Sequence, residues 1–309
     1  MRVIVVGAGV VGLSVAVRLA EAGISTDVLA RDLPMETTSS VAAALWYPYR
    51  ALPYDRVLGW AQRSYEVFAE LADTQPDAGV RMRTGTELLR RPQPDPWWAS
   101  AVPALRRCCD LPPGYRDGWS FAAPVIDMAG YLPWLRARLE RAGGTLTRVA
   151  LTRLPDRPGV VVNCSGLAAR LLAADSSVTP LRGQVVYVEQ FGLERWTLDE
   201  DGPTYVIPRL RNVVLGGTDV PDDWDTQPRP EVAEAILARA VALVPELAGA
   251  RVVGHRVGLR PVRPSVRLEV EQRPAGNTVV HCYGHGGAGV TLSWGCADEV
   301  FALVRSAEG

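Results

Sequence analysis

The N-terminal run Arg2-Val3-Ile4-Val5-Val6 passes directly into Gly7-Ala8-Gly9-Val10-Val11-Gly12, and few sequence features restrict the available folds as tightly. A short apolar strand, a glycine turn and then apolar residues at helical spacing through Ala22 read as strand, turn and helix. Gly23 is placed to stop that helix, and Ser25-Thr26-Asp27-Val28-Leu29 reads as a second buried strand parallel to the first. The three glycines serve different ends. Gly7 permits the sharp turn, Gly9 lets the backbone approach a pyrophosphate, and Gly12 lets helix and strand pack closely. Helix-terminal N–H groups from the turn, which includes Ala8, Val10 and Val11, then face an anion. The competing reading is a glycine turn that serves packing alone. About twenty residues further on, where an acidic side chain holds the adenosine ribose in such folds, stand Arg31 and Asp32. Asp32 suits the ribose and Arg31 a stack near adenine; otherwise both are solvated turn charges.

The remainder of the 309 residues sets limits on what such a unit could serve. With 33 basic and 34 acidic residues the net charge is -1, and no basic run suits a nucleic-acid backbone or an anionic membrane. The longest apolar stretches, such as Val10–Ala20, are broken by Gly, Ser and Arg and fall short of the roughly 20 residues a membrane span needs. The N-terminus lacks a signal-peptide pattern and the last residues do not match a peroxisomal address, so a cytoplasmic location is expected. Five cysteines, two of them adjacent at Cys108 and Cys109, form neither a disulfide framework nor a spaced zinc set. They are read as reduced thiols, and no metal site is expected.

From Pro48 to Pro124 the texture turns to Pro, Trp and Arg, with one amphipathic helix around Val57–Leu71. Val125–Ala142 reads as a further helix, and Pro158-Gly159 introduces the apolar strand Val160–Asn163. Gln184–Glu189, Thr204–Ile207 and Asn212–Leu215 read as antiparallel strands, Glu231–Val244 as a helix, and Arg251–Arg260, Arg267–Val270 and Thr278–Tyr283 as strands. The expected class is therefore α/β combined with α+β: a Rossmann-like cofactor domain interleaved with an antiparallel-sheet substrate domain. Residues 1–47, 122–172 and 262–309 are assigned to the first, 48–121 and 173–261 to the second. Glycine-rich pieces recur at Cys164-Ser165-Gly166 and Gly284-His285-Gly286-Gly287-Ala288-Gly289. Such recurrence favours an extended, buried FAD over a nicotinamide cofactor.

Several separated motifs then coincide: Val3–Ser14, Val41-Ala42-Ala43-Ala44-Leu45-Trp46, Tyr205-Val206-Ile207-Pro208, Gly258-Leu259-Arg260-Pro261-Val262-Arg263-Pro264, and Tyr283–Gly287 with Trp294-Gly295-Cys296-Ala297. In this order the chain resembles the D-amino acid oxidases. The resemblance implies that Thr37, Thr38 and Ser39 lie along the FAD pyrophosphate, unless they only cap a helix, and that the backbone of Ala44 and Leu45 runs beside the flavin. It further implies that Val162, Ser165 and Gly166 contact FAD, and that Gly284, Gly286, Gly289, Val290 and Thr291 belong to the cofactor site. Arg260 would be the carboxylate clamp, with Tyr205 adding a hydroxyl and the Gly287 carbonyl accepting from the amine. The implied reaction is hydride transfer from the α-carbon to flavin N5. It yields an imino acid that hydrolyses to a 2-oxo acid and ammonia, with oxygen reduced to hydrogen peroxide.

Departures from the family pattern shape the substrate expectation. Asp201 stands four residues before Tyr205, where animal enzymes carry a second tyrosine, so a tyrosine lid is not expected. Tyr47 replaces a glutamine and supplies a pocket wall, and Ala288 replaces a bulkier aromatic there. Asp219 stands where a D-aspartate-specific relative carries Arg, so it should repel acidic substrates. Neutral or basic D-amino acids are the expected substrates. A glycine or sarcosine-type flavin amine oxidase, a D-aspartate oxidase, a non-catalytic flavin scaffold and an NAD-dependent dehydrogenase are the alternatives, and a homodimer is left open.

Overall fold

In the computed structural model, which describes residues 2–156, 159–274 and 276–307, the N-terminal pattern folds as its glycines require. Strand Arg2–Val6 pairs in parallel with Ser25–Ala30 on one edge and Val160–Asn163 on the other. The parallel layer continues outward through Thr145–Arg148 beyond Ser25–Ala30, and through Thr278–His285 beyond Val160–Asn163. Pro158, expected to introduce Val160–Asn163, lies outside the described residues, as do Glu308 and Gly309. Helix Val10–Glu21 buries Val10, Leu13, Val17 and Leu19 against this layer. Gly23 ends it at φ 81°, a conformation that favours glycine.

The last helix, Gly289–Ser306, packs on Val10–Glu21 and on the long helix Tyr54–Thr74. Gly295 makes the latter crossing possible, because a Cβ there would sit 2.3 Å from the Trp60 Cα. Helix Met128–Arg141 begins three residues later than the sequence pattern suggested. Asp127 caps it by accepting the Ala129 N–H at 3.1 Å, and Val125-Ile126 finish a strand instead.

The second layer holds more β-structure than the sequence showed. Val80–Leu89 and Asp117–Ile126 form an antiparallel pair over ten residues each, within a stretch read as irregular. Their Gly, Pro and charged residues obscure the pattern, and packing against neighbours decides strand formation more than propensity does. The sheet continues through Trp196–Asp199, Thr204–Pro208, Asn212–Gly216 and Thr179–Glu189.

One strand joins the two layers. The strands expected separately at Arg251–Arg260 and Arg267–Val270 are one strand, Val252–Gln272, which runs on through Pro261 and Pro264. Its first half, as far as Val262, pairs with Thr179–Val188; its second half pairs with Thr278–His285. The register shifts between Val262 and Arg267, in the segment that holds Pro264, which has no N–H to donate to a ladder. Arg260 therefore sits just where the strand changes partners.

Candidate active site

A cleft of about 540 Å³ runs from the first glycine turn to the antiparallel sheet. At one end it is lined by Gly7 through Gly12, Arg31, Asp32 and Thr37 to Ser39. Gly7 has φ 112°, and a Cβ on it would meet the Cys164 carbonyl oxygen at 2.4 Å; one on Gly12 would meet the Gly7 carbonyl oxygen at 2.0 Å. Gly9 is different, since its Cβ would meet only the Ser39 hydroxyl at 3.2 Å and would otherwise project into open cleft. Ser39 Oγ accepts the Val10 N–H at 3.0 Å, whereas Gly9 as N-cap offers no side-chain cap. The remaining first-turn donors are thus left to an anion. Thr37 and Thr38 donate their hydroxyls to the carbonyls of Pro34 and Leu259 at 2.7 and 3.1 Å. Asp32 and Arg31 pair with each other at 2.7 and 3.0 Å at the rim. An exposed helix terminus beside a Cβ-free floor fits the diphosphate of a dinucleotide.

The middle of the cleft is lined by Val41 through Leu45 on one wall, and by Ser165, Gly166, Gly286, Gly287, Gly289 and Val290 on others. Leu45 forms an isolated bridge with Val125, and the Trp46 N–H donates to the Pro124 carbonyl at 2.8 Å, which tacks this small-residue segment onto the sheet. Four residues expected at the site lie behind the lining. Val162 is fully buried inside its strand, and Gly284 packs on Arg263. Ala288 is the buried N-cap residue of the last helix, so it is not a pocket wall. Thr291 acts at one remove: its hydroxyl accepts the Tyr47 N–H at 3.1 Å and donates to the Tyr47 carbonyl at 2.9 Å, fixing Tyr47 in the lining.

At the far end the structure brings Tyr205, Arg260, Asp219, Gly287 and Tyr47 together with Tyr49 and Glu87, two residues that sequence reasoning did not single out. Glycines make the room. A Cβ on Gly183 would overlap the Arg260 guanidinium at 2.5 Å, and one on Gly216 would overlap the Tyr205 ring at 1.8 Å. Arg260 Nη1 donates to the Thr218 carbonyl at 3.0 Å and to Asp219 Oδ1 at 2.6 Å. Burial pushes the Tyr205 phenol up, against the pull of the adjacent Arg260 charge, so it stays protonated and can donate.

Asp219 differs from its expected part. Its carboxylate meets Arg260, lies 3.2 Å from Arg50 Nη1 and accepts from the Tyr49 hydroxyl. Two guanidinium groups and a phenol compensate its charge, so it does not stand as a lone carboxylate repelling acidic substrates. Asp201 is an exposed turn residue paired with Arg90 at 3.3 Å, and the adjacent lining is supplied by Gly202 and Pro203.

The cysteine spacing gives no expectation of a metal site, yet Cys282, His285 and Cys296 come together in the core. Their sulfurs lie 3.9 and 3.5 Å from His285 Nε2. Cys164 also meets Cys282 there. All three of these thiols are buried, Cys108 is half-buried and Cys109 exposed. Titration of the native protein with a chromogenic disulfide is expected to modify Cys109 and then Cys108 within minutes, while the other three react only after denaturant is added. Rapid reaction of more than two thiols in the native state would show that the core opens readily.

Comparison with known proteins places this architecture. Residues 2–303 match the family model described as FAD dependent oxidoreductase. The chain is 54% identical over 315 residues to the D-amino-acid oxidase of Rubrobacter xylanophilus, covering 99% of this chain and 96% of that protein. It is 47% identical over 313 residues to the D-amino-acid oxidase of Streptomyces coelicolor, covering 98% and 96% respectively. Among solved structures, glycine oxidase from Geobacillus kaustophilus superposes with a TM-score of 0.83 over 99% of this chain and 95% of that one, at 19% identity.

Proposed function

This chain belongs to the DAO family of FAD-dependent oxidoreductases, and from that membership we propose that it is a D-amino-acid oxidase. It converts neutral or basic D-amino acids to 2-oxo acids, ammonia and hydrogen peroxide, with molecular oxygen as electron acceptor. The observation that carries the reading is the convergence of Arg260, Tyr205 and the Gly287 backbone at the end of the cleft away from the glycine turn. FAD, when bound, supplies the electron sink that takes the hydride from the substrate α-carbon.

The protein supplies orientation. Arg260 has donors beyond the Nη1 held by Thr218 and Asp219, and these grip the substrate carboxylate. The Tyr205 hydroxyl donates to the same carboxylate. The Gly287 carbonyl accepts from the amine, and with three points fixed the α-hydrogen has one direction left to face. Asp219 holds the guanidinium in place before substrate arrives and stays on Nη1 afterwards, with Arg50 and Tyr49 sharing its charge. The division at 1–47, 122–172 and 262–309 against 48–121 and 173–261 is proposed as cofactor and substrate domains, with helix Tyr54–Thr74 lying against the former. We place the enzyme in the cytoplasm, in keeping with its five free thiols. Among the described residues no helix is long and apolar enough to cross a membrane.

The test is direct. The purified protein should show the visible absorbance of an oxidised flavin and release peroxide from D- but not L-amino acids. Peroxide from the L-series alone would overturn the stereochemical claim. Faster turnover of glycine or N-methylglycine than of larger D-amino acids would favour a glycine-type oxidase, and fastest turnover of D-aspartate an acidic-substrate enzyme.

A further inference from the structure

Resting on the reading as a D-amino-acid oxidase, we propose that Glu87 determines side-chain specificity, receiving the cationic group of basic D-amino acids such as D-lysine. Strand pairing places it for this. Glu87 lies opposite Leu198, Leu198 opposite Tyr205, and Tyr205 opposite Gly216. Residues paired across neighbouring strands project from the same face, and Glu87, Leu198 and Tyr205 all line the cleft. Strands are about 4.8 Å apart, so Glu87 stands two strands, or about 10 Å, from the residue that contacts the substrate carboxylate. Between them Leu198 offers an apolar surface for methylene groups. A substrate fixed at Arg260 and Tyr205 can therefore lay an aliphatic chain across Leu198 and present its terminal cation to Glu87.

Among the acidic groups of the cleft only Glu87 and Glu200 have no ion pair among the described residues, and of these the strand register puts Glu87 in line with Leu198 and Tyr205. Asp219 is matched by Arg260 and Arg50, Asp199 by Arg90 at 2.9 Å, and Asp32 by Arg31. Glu200 is held by the Arg90 N–H at 2.5 Å and by the Gln93 amide. Glu87, only 8% exposed, has the Tyr47 hydroxyl at 2.6 Å and no cationic partner among the described residues. Burial, assisted by the nearby Glu200 charge and opposed by the Tyr47 hydrogen bond, pushes the Glu87 carboxyl up to about 7. An arriving ammonium group would stabilise its ionised form. The Tyr47, Tyr49 and Tyr205 phenols are held protonated by burial, so they do not titrate in the same range. The other charged groups around this end are Asp199, Glu200, Asp219 and Arg260 in the lining, with Arg90 behind Asp199 and Arg50 beside Asp219.

The experiment compares kcat/KM for D-lysine and D-norleucine, which share the α-amino acid core and differ in the terminal ammonium. In the wild-type enzyme the D-lysine to D-norleucine ratio is expected to rise with pH through about 7, as Glu87 ionises while the lysine ammonium stays charged. Glu87→Gln should lower that ratio at pH 8 by about tenfold or more and flatten its pH dependence. Tyr47→Phe removes the hydrogen bond that favours ionised Glu87, so the midpoint should move to higher pH. An unchanged ratio in Glu87→Gln that retains its flavin spectrum would overturn the proposal. If that variant does not fold, a pH-independent wild-type ratio together with an unmoved Tyr47→Phe profile would do so. Failure of the oxidase reading is distinct, since the wild-type enzyme would then turn over neither compound.

Discussion

Replacing Arg260 with methionine is expected to lower kcat/KM for D-alanine by roughly three orders of magnitude while leaving the flavin bound. Removing one partner of a buried, hydrogen-bonded charge pair costs about 2–5 kcal/mol, and about 4 kcal/mol corresponds to 10³ in rate. Two effects contribute. The substrate carboxylate loses its planar clamp, and Asp219 loses the Arg260 contact at 2.6 Å while remaining largely enclosed beside Tyr49. Arg260→Lys should recover little, because an ammonium cannot reproduce a two-point grip on a carboxylate. Steady-state peroxide assays, with the flavin absorbance as the check on folding, decide the matter; a loss below tenfold would mean that the carboxylate is recognised elsewhere.

The second large effect separates cofactor binding from folding within a single turn. Gly9→Val should give a folded protein that purifies without flavin, with FAD affinity reduced at least about a hundredfold. At Gly9 the backbone is extended (φ -72°, ψ 178°), which valine accepts, and the added atoms project past Ser39 into space meant for ligand. Gly12→Val, by contrast, should not accumulate as folded protein, because its Cβ would overlap the Gly7 carbonyl oxygen at 2.0 Å, where helix meets strand. Circular dichroism distinguishes the two variants, and FAD titration measures the first. Full flavin occupancy in Gly9→Val would remove the turn from the cofactor site.

Much of this site was legible because a few residue types have few uses. Glycines at 7, 9 and 12 after an apolar strand leave little besides a ligand-facing helix terminus, and Arg260 and Tyr205 are flanked by motifs that give them a setting. What escaped notice depended on partners distant in sequence. Glu87 acquires its meaning only from Leu198 and Tyr205 on neighbouring strands, and the strand carrying it was hidden among Arg, Thr and Gly residues. Asp219 looked like a free charge because nothing in the sequence reports that Arg50 and Tyr49 fold over it. Cys164, Cys282 and Cys296 lack any ligand-like spacing, and only the packing of the last helix on the parallel layer gathers them around His285. The gap expected between Arg260 and Arg267 falls where the strand, carrying Pro261 and Pro264, exchanges one neighbour for another.

That exchange has a mechanical consequence. Val252–Gln272 is hydrogen-bonded into the antiparallel part of the sheet along one half and, along the other, to Thr278–His285, which carries the sheet on into its parallel part; Arg260 stands at the junction. Swinging the two parts of the sheet apart would bend a backbone laddered into both. Motions that keep both ladders intact are therefore those of small parts, and the spacing between Arg260 and the parallel strands stays as fixed as that of teeth on one comb.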